Sequence, residues 1–127
     1  MREIFRSGGF EDLAGYARAV RIDGFIAVSA TAATNADGRA LHPGDTYKQT
    51  CEAFRRALEA VEGLGGSVED VLRTTMLLVR DADWQAAVEA HREIFASVTP
   101  ANTTYYVAGF IPEGVLVEVE LDAYVAG

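Results

Sequence analysis

A regular alternation of apolar and polar residues near the end of the chain predicts a half-buried β-strand over residues 115–124. The run before it, residues 103–108, is rich in β-branched and aromatic residues. Gly109 and Pro112-Glu113-Gly114 lie between the two runs and supply turn chemistry. We therefore predict that the two strands pair as a β-hairpin.

The predicted last strand carries its acids on one face. That face holds Glu118, Glu120 and Asp122 with Leu116 and Tyr124, while the other holds Val115, Val117, Val119, Leu121 and Ala123. Carboxylates stacked in this way repel each other unless water or cations surround them. A solvated face is the simpler interpretation for Glu120 and Asp122. The neighbouring Leu116 predicts that Glu118 is partly covered.

Further strands are predicted at the start of the chain. Ile4-Phe5 is a candidate first strand, and residues 16–22 and 25–30 flank Asp23-Gly24, which suits a tight hairpin loop. Arg18 in the first of these runs is either a partner for the acidic face or a surface charge. Residues 31–44 contain several turn residues and predict an exposed loop, where His42 is expected to be an ordinary loop histidine.

Asp45 is the predicted cap of a long helix that ends near Glu62, ahead of a glycine-rich segment. Its apolar stripe at helical spacing consists of Tyr47, Cys51, Phe54, Leu58 and Val61. Because Cys51 lies within this stripe, we predict a small buried hydrophobe rather than a nucleophile.

A second helix is predicted from Asp81 or Asp83, as its cap, to about Ser97. Its inward stripe consists of Trp84, Val88, His91 and Phe95. His91 therefore points to the core or to an interface. A hydrogen-bonded packing role and a role as general base are both open for it.

Residues 71–79 predict an apolar strand between the helices, in which Arg73 is a second candidate partner for the acidic face. The order of strands, helix, strand, helix and strands predicts an α+β layer, with two helices on one face of a mainly antiparallel sheet. The bare face of that sheet is partly apolar, which predicts oligomerisation.

Bulk properties limit the classes of function. A chain of 127 residues, 50% of them hydrophobic, is expected to form one domain spanning residues 1–127. With 11 basic and 19 acidic residues the net charge is −8, which disfavours nucleic-acid binding. A single cysteine excludes a disulfide framework. With no signal-like or membrane-length apolar run, we expect a soluble cytoplasmic protein without membrane contact.

A series of short segments adds a resemblance to these patterns. In chain order they are Gly15-Tyr16-Ala17-Arg18-Ala19-Val20, Val28-Ser29-Ala30, Gln49-Thr50, Gly65-Gly66-Ser67-Val68-Glu69-Asp70-Val71, Asp83-Trp84, Pro100-Ala101-Asn102 and Val117-Glu118-Val119-Glu120. Together they span nearly the whole chain. The series resembles the YjgF/YER057c/UK114 family, also called RidA or Rid.

The resemblance implies a chorismate-mutase-like fold of the bacillary type, assembled as a homotrimer with ligand clefts between subunits. It also implies hydrolysis of reactive enamines and imines, such as 2-aminoacrylate-derived species, to ketoacids and ammonia, without a metal or organic cofactor. Tyr16, Ser29 and Glu118 match cleft positions of the family, and Arg18 is their neighbour. Glu118 is the implied catalytic residue that positions or activates water.

The chain departs from the family pattern at the end of the Pro-Ala-Arg motif, where it has Asn102. An arginine holds a carboxylate with a charged fork, whereas an asparagine offers hydrogen bonds without charge. Thr104 stands where members of the characterised, imine-hydrolysing branch of the family often have cysteine, and Val88 where they often have an asparagine that lines the cleft. Asn102, Thr104 and the backbone near Ser29 and Ala30 are the expected contacts for the polar end of a small-molecule ligand.

Three interpretations therefore remain. The first is a trimeric hydrolase or deaminase with an altered substrate range. The second is a trimer that binds a small metabolite without catalysis. The third, an endoribonuclease, follows a historical name of the family, and the net charge of −8 disfavours it.

Overall fold

The computed structural model describes residues 1–127 and has an α+β architecture built on one six-stranded sheet. The strands are β1 (Arg2–Phe5), β2 (Ala19–Ile22), β3 (Phe25–Ala32), β4 (Val71–Leu78), β5 (Ala101–Tyr106) and β6 (Val117–Tyr124). The helices are α1 (Phe10–Ala14), α2 (Thr46–Gly63) and α3 (Trp84–Phe95), with a short 3-10 turn over Val68–Asp70. The strand order is β1-β2-β3-β6-β4-β5. The predicted α+β class with a mainly antiparallel sheet is thus confirmed.

The predicted hairpin between residues 103–108 and 115–124 is wrong. β6 pairs antiparallel with both β3 and β4, and β5 pairs with β4 in parallel, from Arg73 opposite Ala101 to Leu78 opposite Tyr106. β4 therefore lies between the two strands that were expected to meet. It is the apolar strand, and a position between two neighbours hides its backbone and side chains better than a position at the edge.

Local signals at the first hairpin and at the helix starts are confirmed. Asp23-Gly24 joins β2 to β3, and Asp23 has the positive φ of 53° that such a two-residue loop requires. The Asp45 carboxylate accepts a hydrogen bond from the Lys48 amide at 2.9 Å, and Asp83 accepts one from the Ala86 amide at 3.2 Å. The short helix α1 lies in a segment for which no helix was predicted.

The inward faces of the long helices differ from the predicted stripes. α2 buries Phe54 and Val61, but most of its buried face consists of Thr46, Gln49, Thr50, Ala53, Ala57 and Ala60. Tyr47, Trp84 and Val88, which were predicted to point inward, are exposed. Alanines let a helix approach the sheet closely, so the helix face that packs on the core is made largely of small residues. The predicted stripes were defined by large apolar side chains and therefore missed this face. Cys51 is half-buried, and burial raises the pKa of its thiol, which agrees with an unreactive role.

Both long helices cover the same face of the sheet, where Phe54 and Phe95 join one apolar cluster with the inward side chains of β3, β4 and β6. The opposite face is bare. It exposes large apolar side chains from five strands, namely Ile4, Ile22, Phe25, Tyr105 and Tyr124. This bare, partly apolar face is the one that the sequence predicted. None of the helices combines the length and apolarity needed to cross a bilayer.

Candidate functional site

A groove of about 1330 Å³ opens beside the end of β3, between the segment around α1 and the loop that precedes β6. Five of the sequence-predicted site residues line it: Tyr16, Arg18, Ser29, Ala30 and Glu118. A register shift in the β3–β6 pairing between Val28 and Thr31 marks this point of the sheet. Irregularities of this kind re-aim side chains and are frequent beside functional sites.

Arg18 anchors the inner wall of the groove. Its guanidinium pairs with Glu11, with Nη2 at 3.2 Å and Nε at 3.3 Å from Oε2. Nη1 donates to the carbonyl of Ala30 at 2.6 Å and to the hydroxyl of Thr31 at 3.2 Å. Arg18 also faces the ring of Tyr16 at 5.7 Å. The side chain thus ties the segment of α1 to the end of β3, so it is neither a free surface charge nor a direct partner of the last strand.

Glu11 is a site residue that the sequence did not reveal. Its side chain is 0% exposed although it belongs to the short acidic segment Phe10-Glu11-Asp12. It accepts hydrogen bonds from the amide of Ser7 at 2.9 Å and from the Ser7 hydroxyl. Burial raises the pKa of Glu11, but the Ser7 bonds and Arg18 outweigh this effect and lower the pKa overall. No local pattern marks Glu11, because its partners come from two other segments.

Ser29 and Ala30 form the floor between these groups. The Ser29 hydroxyl donates to the carbonyl of Ala17 at 2.8 Å, and Ser29 O accepts from the Thr31 hydroxyl at 2.7 Å. The hydroxyl proton of Ser29 is therefore already used within the chain. Toward a ligand, Ser29 can offer only an acceptor lone pair in this arrangement.

Glu118 presents a half-buried carboxylate to the groove, from the bare face of the sheet. Its neighbours in the sheet are Ala32 on β3 and Leu77 on β4, and it forms no salt bridge within the chain. Burial raises the pKa of Glu118; the charge of Arg18 opposes this rise and that of Glu120 adds to it. The predicted partial cover of Glu118 is confirmed. Arg18 is close enough to lower the pKa of Glu118, but desolvation outweighs this effect.

Asn102 and Thr104 do not share this groove within one chain. They lie on the edge strand β5, with β4 between it and β6, so the backbones of β5 and β6 are about 10 Å apart. Asn102 is also opposite Thr74, whereas Glu118 is opposite Leu77, which places the two side chains on opposite faces of the sheet. Thr104 instead borders a small cavity of about 310 Å³ with Leu78, Trp84, Tyr105 and Tyr106.

A chain of hydrogen bonds links Asn102 to His91. The Thr104 hydroxyl donates to Oδ1 of Asn102 at 2.8 Å, and Nδ2 of Asn102 donates to the Thr74 hydroxyl at 3.0 Å. Thr74 Oγ1 lies 2.7 Å from Nε2 of His91. His91 also packs on the rings of Phe54 and Phe95, and burial lowers its pKa. This geometry is that of a hydrogen-bonded packing histidine.

Arg73, the other predicted partner of the acidic face, lies opposite Asp122 in the register and donates to the Thr103 hydroxyl at 3.1 Å. It does not line the groove. The rest of the groove comes from parts that the sequence did not suggest, among them Arg55, Arg56 and Glu59 on α2 and Phe110 and Ile111 in the loop before β6.

Comparison with known proteins identifies the family to which the chain belongs. The family described as Endoribonuclease L-PSP matches residues 9–125. The chain is 39% identical to an uncharacterized protein of Streptomyces coelicolor, over 98% of this chain and 92% of the relative. It is 29% identical to the 2-iminobutanoate/2-iminopropanoate deaminase of Mus musculus, over 83% of this chain and 77% of that enzyme.

A solved structure gives the same answer for the fold. It is a member of the YjgF/YER057c/UK114 family from Mycobacterium tuberculosis, with a TM-score of 0.88 and 33% identity, covering 98% of this chain and 100% of that one. The match spans the sheet, both long helices and the segment around α1. By sequence and by fold, the chain belongs to the Endoribonuclease L-PSP family, which includes the YjgF/YER057c/UK114 proteins.

Proposed function

We propose that this protein is a small-molecule hydrolase of the Rid type, which adds water to a C=N bond and has a substrate range different from that of the family's imine deaminases. The observation that carries the proposal is Glu118, a half-buried carboxylate in the wall of a groove of about 1330 Å³. Burial raises the pKa of Glu118, which makes the carboxylate a stronger base toward a water proton. The 29% identity with a 2-iminobutanoate/2-iminopropanoate deaminase supports this reaction class.

The proposed reaction converts a protonated imine and water into a carbonyl compound and ammonium. Glu118 accepts a proton from water as the water oxygen forms a bond to the imine carbon. It then returns the proton to the nitrogen of the tetrahedral intermediate. Cleavage of the C–N bond releases ammonia, which takes the remaining hydroxyl proton as the carbonyl forms. Every proton in this scheme comes from the imine or the water.

We further propose that the working cleft lies between subunits of a homotrimer. Two observations support this assembly. The bare face of the sheet exposes Ile4, Ile22, Phe25, Tyr105 and Tyr124, whose burial requires a partner. In addition, Asn102 and Thr104 can meet Glu118 only if they come from a second copy of the chain, since one chain holds them on opposite faces.

A non-catalytic metabolite-binding trimer is the second candidate, and the state of Asn102 favours it. The amide is uncharged, and both its oxygen and its nitrogen are already bound, to Thr104 and Thr74. Such a residue holds a substrate carboxylate less firmly than an arginine fork does. An endoribonuclease remains disfavoured because the net charge of −8 repels a phosphate backbone.

The decisive experiment measures ammonia release above the spontaneous rate from one acidic and one neutral imine. Wild type is compared with Glu118→Gln, which keeps the shape and removes the base. Glu62→Gln is the control, since Glu62 is an exposed residue of α2 outside the groove. Turnover by wild type and the control, with loss in Glu118→Gln, supports the hydrolase. If no protein turns over either imine, the binding function replaces it.

A further inference from the structure

We infer that the groove selects a cationic ligand, of the iminium or amidinium class, in preference to one that carries a carboxylate. The inference rests on the proposed function for the location of the site and concerns the substrate class that this site takes. The positive charges in the groove are neutralised within the chain, whereas two of its negative charges are not.

All three arginines that line the groove already have carboxylate partners. Arg18 pairs with Glu11 at 3.2 Å, Arg55 with Glu52 at 2.8 Å and Glu59 at 3.6 Å, and Arg56 with Glu52 at 2.7 Å. The hydrogen bond from Arg55 lowers the pKa of Glu52 to about 2, so this partner is ionised at neutral pH. An anionic ligand would have to compete with these carboxylates for each guanidinium.

Two carboxylates in the groove have no such partner. Glu118 and Glu120 both line it from β6, both are half-buried, and neither forms a salt bridge within the chain. Partial burial of an ionised carboxylate is costly unless a cation compensates it. Burial and the charge of Glu120 raise the pKa of Glu118, against the opposing effect of Arg18. A cation bound between the two carboxylates would offset this cost.

Neither β5 nor Arg73 supplies the missing positive charge. β5, which the proposed trimer brings to the cleft, has the sequence Ala-Asn-Thr-Thr-Tyr-Tyr without a charged residue. Arg73 lies on the same face of the sheet as Glu118, but it is opposite Asp122, four residues along β6. At strand spacing that places it about 13 Å from Glu118. The Arg73 guanidinium donates to the hydroxyl of Thr103, which lies on β5, the neighbour of β4 on the side away from β6.

Aromatic side chains of the groove suit the same ligand class. Phe10, Tyr16 and Phe110 line it, and the face of an aromatic ring attracts cations. Tyr16 already shows this preference toward Arg18 at 5.7 Å. A planar iminium group placed between these rings and Glu118 would therefore find favourable contacts on both sides.

The test uses three stable probes of nearly the same size but different charge: benzamidine (a cation), benzamide (neutral) and benzoate (an anion). Benzamidine carries a planar C=NH₂⁺ group and mimics a protonated imine, whereas benzoate carries the carboxylate. Dissociation constants are measured by calorimetry with wild type, Glu120→Gln and Glu62→Gln. The two variants change the net charge equally, but only Glu120 lies in the groove.

We expect wild type to bind benzamidine roughly ten-fold or more tightly than benzoate, since the discrimination rests on at least one hydrogen bond to a charged group. Glu120→Gln should lose most of this preference, and Glu62→Gln should keep it. Equal binding of benzamidine and benzoate, or the same loss in both variants, would overturn the inference, because the effect would then come from the overall negative charge.

The imine assay runs in parallel and separates the two proposals. If wild type prefers benzamidine through Glu120 but hydrolyses no imine, the ligand class stands and the hydrolase function fails. If wild type hydrolyses imines and favours the acidic one, the hydrolase function stands and the cationic ligand class fails.

Discussion

The buried pair of Glu11 and Arg18 gives the sharpest test of how the groove is built. Glu11→Gln keeps the size of the side chain and removes its charge. The amide can still accept a hydrogen bond from Ser7, but its own NH₂ group then faces donors where the carboxylate faced them as an acceptor. Arg18 is left without its counter-ion.

The magnitude follows from the burial of the pair. Removal of one partner of a buried ion pair costs about 3–5 kcal/mol. The Arg18 side chain is 14% exposed and keeps the Ala30 carbonyl and the Thr31 hydroxyl as acceptors, so we expect the lower end, about 3 kcal/mol. Typical domains have about 5–15 kcal/mol of stability, so the variant should fold. Its urea midpoint should fall by about 1–3 M.

The control is Asp12→Asn, which removes the exposed pair of Asp12 with Arg6 at 3.4 Å, where the side chains are 71% and 53% exposed. Such surface pairs contribute about 0–1 kcal/mol, so this variant should unfold almost like wild type. All proteins are unfolded at one subunit concentration, since assembly adds to the measured stability. A double-mutant cycle with Arg18→Met then isolates the coupling between Glu11 and Arg18.

The pH dependence of stability gives an independent test of the Glu11–Arg18 pair. Because the pKa of Glu11 lies below its ordinary value of 4.5 in the folded protein, the pair stabilises above about pH 4.5. That contribution is lost as the pH falls through the folded pKa, so wild type and Glu11→Gln should converge on acidification. A loss below about 1 kcal/mol at neutral pH, or a difference that grows in acid, would refute the role of this pair.

Three further predictions concern the site and the assembly. Asn102→Arg should raise ammonia release from carboxylate-bearing imines by roughly ten- to a hundred-fold, because a charge-assisted hydrogen bond contributes about 1.5–3 kcal/mol. Release from neutral imines should stay unchanged, and an equal gain on both kinds of imine would contradict the prediction. Light scattering should find a trimer in dilute solution, because the bare sheet face needs cover, and a stable monomer would also remove the inter-subunit cleft. Partial burial holds the pKa of His91 below its ordinary 6.5, so the need to protonate His91 lowers stability as the pH falls through 6.5. Wild type should therefore lose more stability than His91→Gln between pH 7 and 5, measured by urea unfolding, and parallel curves would exclude this cause.

The features that the sequence determined by itself depend on interactions within a few residues. Asp23-Gly24 adopts its loop because the positive φ of Asp23 is a local preference of that residue type. Asp45 and Asp83 begin their helices because each carboxylate reaches an amide three residues ahead. The alternation along β6 likewise separates Glu118 from its apolar neighbours without any knowledge of what covers them.

Only the tertiary structure decided which segments meet. Adjacent strand-like runs suggest a hairpin, but β4 takes the place between β5 and β6 because an apolar strand is best hidden in the middle of the sheet. The sequence around Glu11 is typical of an exposed acid, yet Glu11 is the most deeply buried acid of the chain. Its partners Ser7 and Arg18 come from either side of it in the sequence and meet it only in the fold. The groove depends on the same long-range contacts. Its charge balance could not be read from the sequence, because a carboxylate is neutralised by its neighbours in space and not by its neighbours in the chain.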